Sequence, residues 1–230
     1  MGGVKFEYLV PPTGKKPVTV FTDSLIAPDQ PFGIGDDWFP ILNLVNPPFP
    51  TATGYDGADF AANINRGALG LTYTNTGAGI GPPGGAVPMP LDYTKILFVS
   101  QFSQMQITAF TAGFAALSIA CFYRPNFNQL YNLEFISSTS DITLTRLAST
   151  TNTILSAAIP VVLNDIVRLE ADIKTTPGTT TLRVFVNGVL KSTVLDASGS
   201  RLTSGVPALY FVGCSGGESI TVANYQGGAL

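Results

Sequence analysis

The chain predicts an all-β fold, two antiparallel sheets stacked as a sandwich, and three observations carry that expectation. Helical periodicity is hard to find anywhere along the 230 residues. Short runs rich in Val, Ile, Phe and Thr recur instead, separated by turn residues at a rhythm of roughly 8–12 residues. Asn187-Gly188 lies between two such runs, and this pair is the strongest short hairpin signal because both residues tolerate the positive φ of a type I′ turn.

The elements follow in order. Residues 1 to 17 hold Pro11, Pro12 and Pro17 around Lys15-Lys16, which suits an extended N-terminal arm better than a core strand. Residues 18 to 230 are expected to form a single sandwich. From Asn46 to Pro90 the chain is rich in Gly and Pro, with only Ala68 to Tyr73 strand-like; so long a loop region usually carries function or contacts a partner. Beyond it the predicted strands are Ile96 to Phe102, Met105 to Phe110, Ala115 to Tyr123, Leu130 to Ser137, Ile142 to Ala148, Asn152 to Ala158, Asp165 to Lys174, Thr180 to Val186, Val189 to Leu195, Ala208 to Val212 and Ser219 to Tyr225. In Arg168-Leu169-Glu170-Ala171-Asp172-Ile173 polar and apolar residues alternate, as in a strand with one face in the core and one in water.

Composition narrows the chemistry. Asp, Glu, Lys and Arg make up 12% of the chain and histidine is absent, against roughly 25% charge in an average soluble domain. Without His there is no Ser-His-Asp or Cys-His relay and no imidazole general base. A net charge of −3, with the arginines scattered, argues against phosphate neutralisation, so no nucleic-acid partner is expected. Disorder fails despite 24 Gly and 17 Pro, because 15 Phe, 8 Tyr and one Trp supply ample apolar surface. Cys121 and Cys214 lie in or beside apolar runs and are read as two buried, reduced thiols in preference to a disulfide. The first residues lack the apolar stretch of a signal peptide. Ile107 to Tyr123, the most lipid-like segment, is interrupted by hydroxyl residues and Gly113, so no membrane span is expected.

Several segments together resemble the concanavalin A-like, laminin-G-like jelly-roll family. They are Arg168 to Ile173, then Val184-Phe185-Val186-Asn187-Gly188, then Asp196-Ala197-Ser198, then Leu202-Thr203-Ser204-Gly205-Val206-Pro207, and the closing strand Ile220 to Gln226. Upstream, Ser118 to Arg124 with Tyr131 to Phe135, and Phe21 to Leu25 with Gly33 to Trp38, are similar to earlier strands of the family. The resemblance implies a two-sheet antiparallel jelly roll. In calcium-binding relatives the matching ligand positions would be Asp23 and Asn224; one carboxylate is missing there, so no metal and no cofactor are expected.

The family includes glucanases, whose chemistry needs paired carboxyl groups. The signature Glu-x-Asp-x-Glu is absent and only Glu7, Glu134, Glu170 and Glu218 are present; Glu170-Ala171-Asp172 is set aside because neighbours on a strand point to opposite faces, and Asp36-Asp37 because turn residues ahead of Trp38 explain it more simply. No enzymatic role is expected. Low charge and many aromatics match interface cores, which favours a structural protein of an assembly. The plain members of the family resemble bacteriophage virion proteins, so the leading expectation is a capsid decoration, head-fibre or tail component located in the virion, homo-oligomeric and docked to other virion proteins through its arm and loops. The alternative is a lectin-like module binding host glycans, with Tyr55, Asp56, Tyr123, Arg124, Asn126 and Tyr131 as candidate sugar contacts, because sugars are recognised by aromatic faces and planar polar groups.

Overall fold

The computed structural model describes residues 20–25, 30–31, 38–42, 64–74, 84–88, 98–111, 115–124, 129–148, 151–214 and 219–230. Every regular element among them is a β-strand. In chain order they are β1 (Val20–Asp23), β2 (Gln30–Pro31), β3 (Trp38–Leu42), β4 (Ile64–Gly67), β5 (Gly70–Thr74), β6 (Gly84–Pro88), β7 (Ser100–Phe110), β8 (Ala115–Arg124), β9 (Gln129–Ile136), β10 (Asp141–Ala148), β11 (Thr151–Ile154), β12 (Ile159–Pro160), β13 (Ile166–Asp172), β14 (Thr180–Val186), β15 (Val189–Asp196), β16 (Val206–Cys214) and β17 (Ser219–Ala229).

Two sheets form. One has the order β15-β14-β13-β7-β17-β5-β4-β2, with β1 also paired to β17; the other has the order β11-β10-β9-β8-β16-β6-β3, with β12 paired to β10. Their pairings are antiparallel throughout, so residues directly opposite one another share a face. Alternation along β13 shows how the sequence chooses that face. Val167, Leu169 and Ala171 are fully buried against the other sheet, while Arg168, Glu170 and Asp172 point out. Burying a Val or Leu side chain stabilises by about 1.5–3 kcal/mol, and a one-residue slip would exchange these for charged groups, so the register is pinned.

The inner rows of the second sheet are Ile119, Leu133 and Leu144 on one level and Leu117, Phe135 and Ile142 on the next, all with zero exposure. Across the sandwich Phe110 of β7 meets Phe135 edge-on with centroids 5.2 Å apart. Cys121 is also inside, its thiol free and donating to the Leu169 carbonyl at 3.5 Å. Burial pushes that thiol's pKa up, so it is a packing residue rather than a nucleophile. Cys214 belongs to β16, but its side chain lies outside the described residues.

The hairpin between β14 and β15 turns on Asn187 and Gly188, with φ of 51° and 76°. Asn187 does more than turn. Its Oδ1 accepts from the Ile166 backbone N–H at 2.9 Å and its Nδ2 donates to Asp165 at 2.7 Å, tying the hairpin tip to the start of β13.

Two expectations change. The predicted break between Phe102 and Met105 does not occur, because β7 runs unbroken through Ser103 and Gln104. Ser103 faces inward, and its hydroxyl is satisfied by Tyr225 Oη at 3.2 Å, so a polar residue on the core face does not interrupt the strand. Residues 46 to 90 are also more than loop. They contain the β4–β5 hairpin, and Gly84–Pro88 is a strand held between Trp38–Leu42 and Leu209–Phe211. The arm at 1 to 17 lies outside the described residues.

Candidate functional site

The outward face of the eight-stranded sheet is built by parity from the inner rows just described. Because Leu133 and Phe135 face in, Asn132 and Glu134 face out, and the register sets two rows beside one another. One is Tyr210, Ser118, Glu134 and Thr143; the other is Ala208, Ala120, Asn132 and Thr145. Although they face away from the core, Ser118, Asn132, Thr145 and Tyr210 are between 0 and 4% exposed. Tyr123, past the register shift in β8, joins this face and packs edge-on against Tyr210 with centroids 5.9 Å apart.

Glu134 and Asn132 carry the chemistry here. Thr145 donates its hydroxyl to Asn132 Oδ1, which fixes the carboxamide and leaves its NH₂ group without a hydrogen bond among the described residues. Glu134 is half-buried and has neither a hydrogen bond nor an ion pair among them. Burial, with nothing to offset it, raises its pKa. The folded chain therefore holds the Glu134 proton more tightly than the unfolded chain does, and ionisation costs stability as pH rises past the ordinary Glu value of about 4.3. Glu134→Gln is expected to raise Tm at pH 7 and to leave it unchanged near pH 4. An equal shift at both pH values in thermal melts would contradict a desolvated carboxylate.

The candidate sugar contacts read from sequence do not converge in one place. Tyr55, Asp56 and Asn126 lie outside the described residues. Tyr123 is fully buried on the outward face. Arg124 is half-buried and committed to the 197–205 segment, its Nε donating to Ser204 O at 2.9 Å. Tyr131 belongs elsewhere, between the sheets with no exposure, where it offers no aromatic face to a ligand. Its hydroxyl donates to Asp196 Oδ2 at 2.7 Å and accepts from the Leu202 backbone N–H at 3.0 Å. Arg146, opposite Tyr131 in the β9–β10 register, donates to the same Asp196 oxygen at 2.6 Å and also to Ser198 Oγ. Burial raises the Tyr131 pKa, and the bond to Asp196 adds to it. This buried network ties β9 and β10 to the end of β15 in the other sheet; sequence reading missed it.

Glu170 and Asp172 do not point to opposite faces: as alternate residues on β13 they share the outward face of the nine-stranded sheet. Both are spoken for. Glu170 pairs with Arg168 at 2.9 Å and Arg183 at 3.7 Å, and Asp172 accepts from the Lys174 backbone N–H and the Thr175 hydroxyl. Asp23 Oδ1 accepts from the Leu25 N–H at 2.8 Å, and Asn224 Nδ2 donates to Gln106. Among the described residues no three His, Cys, Asp or Glu come together as a metal site, and no helix is long and apolar enough to cross a membrane.

No family model matches the chain, and no curated protein matches it. Solved structures do. An endo-1,3-β-glucanase from Streptomyces sioyaensis superposes with a TM-score of 0.58 at 12% identity, covering 97% of this chain and 100% of its own. The β-glucanase of Bacillus licheniformis gives 0.53 at 11%, covering 94% and 100%. The fold is a concanavalin A-like jelly roll. A carbohydrate-binding module, CBM66 from Bacillus subtilis, shares it at a TM-score of 0.50 and 10% identity, over 70% of this chain and 88% of the module. Nothing in these comparisons points to a virion protein.

These structures correct the expectation that the chain has no enzymatic role. Two of the three are glucanases, so the absence of histidine excludes little on this fold: glycoside hydrolysis runs on carboxyl groups rather than imidazole. A carboxyl with a pKa raised by burial, as at Glu134, is the kind of group that serves as a general acid.

Proposed function

We propose that the domain recognises a glycan on the outward face of the eight-stranded sheet, with Glu134 and Asn132 as its polar contacts. The observation that carries this reading is the pairing of a half-buried carboxyl and a fixed carboxamide, two residues apart on one strand face, with no partner among the described residues for the Glu134 carboxyl or the Asn132 NH₂. A ligand rich in hydroxyls can donate to the Glu134 carboxyl and accept from the Asn132 NH₂. The likeness to two glucanases and a carbohydrate-binding module supports a saccharide as that ligand. Assembly into a virion, which low charge suggested, has no comparable support, and the glycan reading takes its place.

Affinity electrophoresis through gels containing soluble β-1,3- and β-1,4-linked glucans tests it. Asn132→Ala is expected to weaken binding about three- to tenfold, the loss of one hydrogen bond, and Glu134→Gln to weaken it further when combined. Unchanged migration of both variants in gels that retard the parent chain would overturn the reading. Reducing ends are measured in the same samples: release that stops in Glu134→Gln assigns this carboxyl as proton donor.

A further inference from the structure

The nine-stranded sheet also has an outward face, and the register draws a row of side chains across its middle. The row runs from Phe185 on β14 through Arg168 on β13, Gln104 on β7 and Gln226 on β17 to Thr22 on β1. It crosses five strands, about 19 Å at the usual spacing between strands. Arg168 sits over the Phe102 ring, its guanidinium carbon 3.8 Å from the centroid, while its Nε donates to Glu170. Gln104 and Gln226 oppose each other directly, and neither carboxamide is hydrogen-bonded among the described residues. Next to them β17 is bulged between Ala223 and Gln226. Asn224, inside the bulge at φ 51°, donates from Nδ2 to Gln106 Oε1 at 2.7 Å, and Gln106 Nε2 donates to Asn164 O at 3.2 Å. Bulges re-aim side chains where a surface has a task; this one sets a held pair of amides beside two open ones.

The balance of charge and apolar surface selects the ligand. Among the described residues Arg168, Arg183 and the exposed Lys191 of the edge strand share the face with Glu170 and Asp172, so the middle of the face is balanced and one lysine at its edge is too little to call for phosphate, sulfate or nucleic acid. Among the described residues the exposed apolar side chains of this sheet, Val189, Leu190 and Leu195 on β15, Ile166 at the start of β13 and Val20 on β1, sit at strand ends or on the edge strand. The middle is thus too polar for the dry core of a contact with a second copy. Carboxamides both donate and accept, and the half-buried Phe185 ring offers a face to C–H groups. We infer that this face is a second binding site, for a neutral polysaccharide laid across the strands, with Gln104 and Gln226 as its central contacts. It lies on the opposite side of the sandwich from Glu134, so each site stands or falls by itself.

The test titrates the ¹⁵N-labelled chain with neutral β-1,3- and β-1,4-linked glucose oligosaccharides and follows the side-chain amides of Gln104, Gln106, Asn224 and Gln226. These resonances are expected to shift, and the double variant Gln104→Ala/Gln226→Ala, checked for an unchanged melting curve, is expected to lose at least tenfold in affinity at this site. The double variant Asn132→Ala/Glu134→Gln is expected to keep it. If the four amides stay still while other resonances move, or if the Gln double variant binds as the parent does, the second site is refuted. Sedimentation that shows a dimer dissolved by the Gln double variant refutes it equally, because the face would then hold a second copy. Binding lost only in the Gln double variant upholds this site and overturns the one at Glu134.

Discussion

Replacing Asp196 with Ala is expected to destabilise the fold by about 3–5 kcal/mol, the usual result of removing one partner from a buried ion pair. Asp196 and Arg146 are 5% and 7% exposed, and one carboxylate oxygen accepts from both Arg146 and Tyr131 while the other accepts from the Ser198 backbone N–H at 3.0 Å. Without the carboxylate the Arg146 guanidinium stays buried, and its Nε already lacks a partner among the described residues. For a domain of this size the loss corresponds to a fall of roughly 10 °C in Tm. The pH dependence has a definite sign. Burial works to raise the Asp196 pKa, but hydrogen bonds from Ser198, Tyr131 and Arg146 outweigh it and hold the group below its ordinary value. A depressed pKa contributes stability that is complete above the unfolded value of about 3.9 and is lost as pH falls through the folded value. Parent and Asp196→Ala melting curves should therefore converge in strong acid and stay far apart from pH 5 upward. A second variant, Arg146→Met with Asp196→Leu, is expected to lose less than Asp196→Ala, since neither charge is then stranded. A double variant worse than the single one would mean that the pair does more than balance itself.

This network also shows where reading the sequence stops. The hairpin at Asn187-Gly188 and the alternation of β13 were legible because both are local: adjacent residues needing positive φ, and a period of two. In sequence Tyr131 reads as an aromatic face, yet its role is set by Asp196, 65 residues later, and that of Arg146 by the same residue 50 positions on. Nothing local announces such partners. Asn132 and Glu134 could have been found, since alternate polar residues within a predicted strand must share a face. A glycosidase pattern of paired carboxyls does not single them out, because one of the two is a carboxamide. The strand Gly84–Pro88 was hidden for the opposite reason: its residues favour turns, and only pairing on both sides with β3 and β16 makes it extended.

The Gly205 position, part of the Leu202 to Pro207 turn, gives the other large expected effect. Phe122 takes a left-handed backbone, φ 55°, at the register shift that bends β8 between Cys121 and Arg124. Gly205 packs directly against that bend. A Cβ added to Gly205 would lie 2.3 Å from the Phe122 carbonyl carbon and 2.5 Å from its Cα, and backbone cannot move aside as a flexible side chain could. The same residue exchanges backbone hydrogen bonds with Phe98, at 2.9 and 3.2 Å, and its carbonyl accepts from the buried Gln101 at 3.0 Å. Any retreat of Gly205 from Phe122 thus breaks a bridge and strands a buried amide. Gly205→Ala is expected to cost about 3 kcal/mol or more, at the upper end of overpacking effects, whereas Gly199→Ala in the same segment meets nothing within 4 Å and should change stability by less than about 0.5 kcal/mol. Urea midpoints for the two variants decide it. Equal midpoints would mean that β8 and the turn separate freely, and the bend at Phe122 would then need another explanation.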